Sequence, residues 1–354
     1  YKRQGRGCPF MCDFCTSRVL YGGTMRYKTN EQIIAELEQL HNLGYRGIFI
    51  LDDNLAGEHT RAREIVMAIR DWNNSKKEPV MFSTNASVDI ATQSDLGQLF
   101  SEALITNVFV GIETPSSDSL AGAGKYQNLK SDVMGDVEAL HGVGIDVAAG
   151  IMVGFDDDDL SIFRRQADFL QKLSTPVIFA GMMLAPEGTK LKERLMGEGR
   201  IIEIEGCGDH TRETNVIPKQ MTQGQLKQGY FGMMNELYDE FNFLDRVRGA
   251  LERYPDPSPL SRRYKPREAR KVFKLISVMY QLLFYYITGG RRLLTMFIHY
   301  LGVMVKHRKH VFTVIYWLIA YKHFREMLKG HGVFKKVRLE DEAYESRSSA
   351  VYDK

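Results

Sequence analysis

Over the first two hundred residues, short and nearly unbroken apolar runs alternate with segments whose apolar positions recur at helical spacing. Gly47–Leu51, Val80–Phe82, Asn107–Val110, Val147–Val153 and Val177–Ala180 read as strands covered on both faces, as in a parallel sheet. Between them the pattern predicts amphipathic helices over 29–43, 58–73, 94–104, 128–141 and 158–173. The first opens on Thr29-Asn30-Glu31-Gln32, the spacing of a capping box, and stops before Gly44. With a further strand at 2–7, strand and helix alternate six times at the spacing of right-handed crossovers. The expected fold is α/β, a partial or complete parallel (β/α)6 TIM-like barrel. Its chemistry should sit on loops after the carboxyl ends of the strands.

Beyond residue 200 the pattern changes. Residues 222–253 look helical, and Tyr254–Pro259 is a proline-rich linker. Three apolar helical segments follow at 268–288, 291–305 and 310–328, separated by Gly289-Gly290 and by Lys306–His310. The expected division is a barrel over 1–200, a helical connector over 201–260, a basic three-helix region over 261–330 and a polar tail over 331–354.

Charge sharpens that division. Residues 1–260 hold 27 Lys and Arg against 37 Asp and Glu, whereas 261–330 hold 15 against two. So basic a segment invites an anionic partner, either a membrane surface or nucleic acid. The reading preferred on structure is a helical packing domain with solvated cations, membrane contact is the alternative worth testing, and nucleic acid ranks last. Its uncharged stretches are shorter than the ~20 residues that span a bilayer. Four cysteines, three of them within eight residues, suit a reduced cytoplasmic protein with a metal site better than a disulfide framework. No apolar leader follows Tyr1 and no initiator Met is present, so the chain is expected to continue upstream.

The candidate chemistry is concentrated in Gly7-Cys8-Pro9-Phe10-Met11-Cys12-Asp13-Phe14-Cys15, directly after the first strand. Thiolates suit iron–sulfur clusters, and so short a loop can occupy three corners of a cuboid and leave one iron open. A zinc knuckle or a ferredoxin-type carrier normally takes four ligands. The fourth cysteine, Cys207, lies far along the chain between two glycines.

These residues resemble the signature of the radical S-adenosylmethionine (SAM) superfamily. Arg6–Phe10, Asp52-Asp53-Asn54, Gly111–Thr114, Gly150–Gly154 and Ala185–Thr189 are similar to its subgroup with a cobalamin-binding domain, which includes hopanoid methylases, other methyltransferases and anaerobic magnesium-protoporphyrin ester cyclases. That domain is absent from this chain, and the helical C-terminal region resembles an uncharacterised extension. The resemblance implies a [4Fe–4S] cluster on Cys8, Cys12 and Cys15, SAM on the open iron, cobalamin in the full-length protein, and an electron donor such as flavodoxin or ferredoxin. It also implies a SAM site drawn from Phe14, Asp52, Asp53, Asn54, Ser83, Asn85, Glu113, Gly150, Met152, Gly154 and Leu184.

Several of these have a plainer reading. Asp52–Asn54 can form an Asx turn, Glu113 can be ion-paired, and Ser83 and Asn85 can serve a turn. Arg26 can be a solvated loop residue. Asp156–Asp159 can be the acidic first turn of a helix. The leading expectation is reductive SAM cleavage for cobalamin-dependent methylation of an unactivated carbon, on a small-molecule or lipid-like substrate. Rivals are an oxidative cyclase, a methylthiotransferase, which normally needs a second cysteine triplet, and a non-catalytic iron–sulfur or membrane-docking protein. The expected location is the cytoplasm, with contact at the inner face of the membrane as the further option.

Overall fold

A computed structural model of the chain describes residues 1–93, 95–204, 208–256 and 280–330. Two short strands, β1 (Gly5–Arg6) and β2 (Arg26–Tyr27), pair antiparallel. The main sheet is parallel, in the order β3 (Gly47–Ile50), β4 (Met81–Asn85), β5 (Ile105–Glu113), β6 (Asp146–Val153), β7 (Ile178–Met182). Sequence neighbours are spatial neighbours throughout, so the sheet curls in one sense into a half-barrel.

The sixth strand expected at 2–7 is reduced to a bridge. Lys2 N–H donates to Phe49 O (2.9 Å) and Leu51 N–H to Lys2 O (2.6 Å). Gly5 and Arg6 then turn away and pair with Tyr27 and Arg26 instead. Backbone groups committed to that hairpin cannot extend the barrel ladder.

The helices follow the apolar pattern with three adjustments. After α1 (Thr16–Tyr21), α2 (Asn30–Asn42) starts at the expected box, in which Gln32 N–H donates to Thr29 Oγ1 (3.3 Å) and Thr29 N–H to Gln32 Oε1 (3.0 Å). Next come α3 (His59–Asn74), α4 (Leu96–Glu102) and α5 (Ser117–Gly122). The helix expected over 128–141 is two pieces, α6 (Tyr126–Leu129) and α7 (Val133–Gly142). Then α8 (Ile162–Leu173) buries Ile162, Phe163, Gln166, Ala167, Leu170 and Leu173. It begins beyond the four acids Asp156–Asp159, which therefore do not form its first turn. After α9 (Lys190–Gly197), the single stretch expected over 222–253 divides into α10 (Gln223–Leu237) and α11 (Glu240–Arg253). The break falls where the Asp239 carboxylate accepts from Phe241 N–H (3.0 Å) and so starts a new helix.

Residues 280–288 are helical, followed by α12 (Arg291–Lys306) and α13 (Val311–Gly330). The expected segment at 268–288 and the linker lie partly, and Cys207 and the tail wholly, outside the described residues. No helix among the described residues is long and apolar enough to cross a membrane. Several C-terminal cations pair with acids at or near α11: Arg292 with Asp239 and Glu240, Arg325 with Glu240 and Lys309 with Asp256.

Helix α13 seals the floor of the half-barrel. At the amino ends of β5 and β6, Asn107 Nδ2 and Trp317 Nε1 both donate to Asp146 Oδ2 (3.0 Å each). Phe324 meets Phe179 edge-on at 5.0 Å. Burial pushes the Asp146 carboxyl up to about 7 against the pull of both donors. A carboxyl raised on folding stabilises fully below its unfolded pKa of about 3.9, and that contribution is lost as pH rises through about 7. Asp146→Asn keeps one accepting oxygen and cannot titrate. Its melting temperature should therefore fall less steeply than the parent's between about pH 4 and 7. Superimposable pH profiles in thermal melts would remove Asp146 from this role.

Candidate functional site

The cysteine loop runs across the carboxyl edge of the sheet and is tied to three neighbouring loops. After β3, Asp53 accepts from Gly7 N–H (3.4 Å) and from Ser17 Oγ (3.0 Å). After β5, Ala123 O accepts from Asp13 N–H (3.1 Å); after β7, Leu191 N–H donates to Asp13 O (3.1 Å). Cys15 sits at the start of α1, and its N–H donates to Cys12 O (3.3 Å).

Gly7 has φ +101°, and a Cβ there would lie 2.5 Å from the Thr24 carbonyl oxygen. Backbone cannot yield as a side chain does, so Gly7→Ala should cost about 2 kcal/mol and displace Cys8. Thermal melts and iron content after reconstitution check this. Parent values in both would show that the loop tolerates a side chain.

Cys8, Cys12 and Cys15 line one cleft of about 320 Å³, with Phe14, Asp53, Asn54, Asn85 and Glu113 among its walls. The structure thus gathers five of the expected SAM-site residues beside the three thiols. Phe14 also packs on a small apolar cluster containing Phe155, Met183 and Leu191. Asn54 is committed internally: Nδ2 donates to Ser87 Oγ (2.8 Å), and Oδ1 accepts from Ala56 and Ser87 N–H (3.2 Å each). Asn85 Nδ2 donates to Asp52 O (2.9 Å).

Glu113 ends β5 at a bulge, with φ +66°. Its carboxylate pairs with Lys125 Nζ at 2.5 Å, both side chains being nearly buried. The ion-paired reading therefore describes Glu113, with Lys125 as the partner. Burial pushes the Lys125 ammonium down, but Glu113 and the Cys12 and Cys15 thiols more than offset this, for a net rise. Burial also pushes the Cys8 and Cys12 thiols up, and Lys125 opposes it at Cys12.

Other expected residues lie elsewhere. Asp52 is buried under β1, where Oδ1 accepts from Gln4 N–H (2.6 Å) and burial raises the carboxyl to about 6. Ser83 lies further down β4 than Asn85 and does not line the cleft. The space a Cβ would take at Gly150 holds the Phe109 ring, 2.5 Å away, so glycine here admits an aromatic side chain that itself lines the cleft. Met152 packs on the same small cluster as Phe14, and its carbonyl accepts from Gln166 Nε2 (2.7 Å). Gly154 donates its N–H to Asp158 Oδ2 (2.8 Å) and borders a separate hollow behind the loop. Leu184 does not line the cysteine cleft, and both backbone groups of Ala185 are taken by the Asn215 amide (2.9 Å each). Arg26 is exposed and donates to Tyr21 O (3.0 Å). Asp156 pairs with Arg194 and Arg200, while Asp158 holds the turn after β6.

The residue pattern passed over Lys125, Gln127 and Asn128. Gln127 Nε2 donates to Cys12 Sγ (3.6 Å), and Asn128 Nδ2 holds the bulge through Gly111 O and Ile112 O (3.0 Å each). Their one sequence signal is a polar run directly after Gly122-Ala123-Gly124, just beyond a strand-ending acid.

Three thiols lining one cleft are the donor set that an iron–sulfur cuboid with one open iron takes. A cuboid takes each thiolate on a different iron, and the cleft beside them is of ligand size.

The chain is thus a parallel half-barrel with a three-cysteine loop on its carboxyl edge, and comparison with known proteins adds its family. Residues 4–170 match the radical SAM superfamily, so the chain carries a radical SAM domain. Residues 189–332 match a domain of unknown function, DUF4070. An uncharacterised methyltransferase of Synechocystis is 34% identical over 243 residues, 68% of this chain and 45% of that protein. The hopanoid C-2 methylase of Rhodopseudomonas palustris is 32% identical over 59% of this chain and 39% of its own length. The chain thus spans less than half of these two relatives. Among solved structures, the cobalamin-dependent SAM radical enzyme OxsB, with aqua-cobalamin and SAM bound, shares the fold at TM-score 0.52 and 15% identity, over 98% of this chain and 57% of that one.

Proposed function

We propose that this chain is the catalytic part of a radical SAM enzyme. The observation that carries the reading is the convergence of Cys8, Cys12 and Cys15 on one cleft at the carboxyl edge of the half-barrel. A [4Fe–4S] cluster held by these thiolates would supply one electron to SAM, splitting it into methionine and a 5′-deoxyadenosyl radical that abstracts a substrate hydrogen atom.

The chain's own residues do the rest. Asp53 fixes the loop through Gly7 and Ser17, and Gln127 donates to the Cys12 sulfur. Lys125 sets a positive charge beside Cys12 and favours its thiolate, and Glu113 neutralises the remainder. Phe14 and Phe109 give the cleft apolar walls that keep water from the reacting atoms.

The names of the relatives favour methyl transfer in the whole protein, with cobalamin as the motif resemblance implies, and a small or lipid-like substrate. The electron would come from a reduced flavodoxin or ferredoxin in the cytoplasm. Anaerobic reconstitution followed by dithionite and SAM tests the central claim. Release of 5′-deoxyadenosine supports it; a fully loaded cluster that yields none refutes it.

A further inference from the structure

Helix α12 is apolar over far more of its circumference than the protein covers. Leu293, Met296, Phe297, Tyr300, Val303 and Met304 are buried against the body. Leu294, Ile298, Leu301 and Val305, spaced i, i+4, i+7 and i+11, form a second stripe that is 37–78% exposed. The preceding helical residues repeat the arrangement: Leu282 and Tyr286 face inward, while Tyr280, Leu283, Phe284 and Ile287 are 39–68% exposed.

Cations flank these stripes. Arg291 and Arg308 are exposed at either end of α12, Lys306 is exposed in its last turn, and no Asp or Glu occurs between Glu268 and Glu326. Arg292 and Lys309 are already paired with acids of the body, so they do not count toward an outside partner.

We infer that this face docks on an anionic lipid bilayer. Aliphatic and aromatic side chains once per helical turn suit acyl chains, and the flanking cations suit phosphate headgroups. Nucleic acid would use the cations and leave the aliphatic stripe in water. The inference is independent of the radical chemistry and concerns only where the protein works. The helices lie in the interface and do not cross it, since none among the described residues is long and apolar enough.

Vesicle flotation of the whole chain tests it. Binding is expected on phosphatidylcholine vesicles with about 30% phosphatidylglycerol at ~50 mM salt, and at least ~10-fold weaker binding on phosphatidylcholine alone. The double variant Ile298→Glu, Val305→Glu should lose at least ~10-fold with an unchanged melting temperature, since both side chains are exposed. Arg291→Ala with Arg308→Ala should cost about fivefold per residue. Absence of flotation on the anionic vesicles overturns the inference, as does flotation that the Glu variant leaves unchanged. Either result would mean that another surface, protein or chain segment occupies the face.

Discussion

Cys12→Ala should abolish assembly of the cluster and lower SAM cleavage at least ~100-fold. Losing an outer-sphere partner of a metal ligand typically costs 10–100-fold, so losing a ligand itself costs more. The same holds for Cys8 and Cys15, because a cuboid with two thiolates has two unprotected irons. Gln127→Leu removes only the donor to Cys12 Sγ and should cost about tenfold, seen as weaker iron retention against a chelator. Cys207→Ala should change nothing, since the reading requires three ligands and an open iron. Iron and sulfide content, visible absorbance and 5′-deoxyadenosine release are the measurements. A Cys12→Ala protein with parental iron and turnover would end the assignment, and loss of iron in Cys207→Ala would point to a fourth ligand.

Glu113→Ala should be the most destabilising change in the cleft outside the cysteines. It leaves the Lys125 ammonium nearly buried with its closest counter-charge removed. Breaking such a pair costs about 3–5 kcal/mol, a large share of the 5–15 kcal/mol that holds an ordinary domain together. Removing both charges, as in Glu113→Leu with Lys125→Met, should restore most of that loss, because the penalty belongs to the orphaned charge. Denaturant melts of Glu113→Leu, Lys125→Met and the double variant give the coupling directly. Additive losses would mean that the two residues act separately. Lys125→Met alone carries a second signature: without its cation the Cys12 thiol loses the group that favours its ionised form, so cluster loading should require higher pH.

The half-barrel was legible because parallel strands buried on both faces must be apolar throughout, and runs such as Val147–Val153 leave little else to build. The capping box at Thr29 was equally plain, being a purely local contact. The first strand was overcounted because pairing between β1 and β2 is a competition that no run of side chains announces. Among candidate residues, strand-end position correctly gathered Asp53, Asn85 and Glu113 at the cleft. It could not tell them from Asp52, one residue away on the opposite side of the backbone.

By itself, the sequence determined the alternation that makes the sheet, the spacing of Cys8, Cys12 and Cys15, and the basic apolar character of the C-terminal helices. These are one-dimensional properties, written in periodicity and composition. Only the tertiary structure decided that Lys125 and Gln127 stand beside Cys12, that Phe109 fills the space at Gly150, and that α13 seals the barrel floor through Trp317 and Asp146. Those contacts join residues up to 171 positions apart, and they follow from the shape the packed elements leave between them.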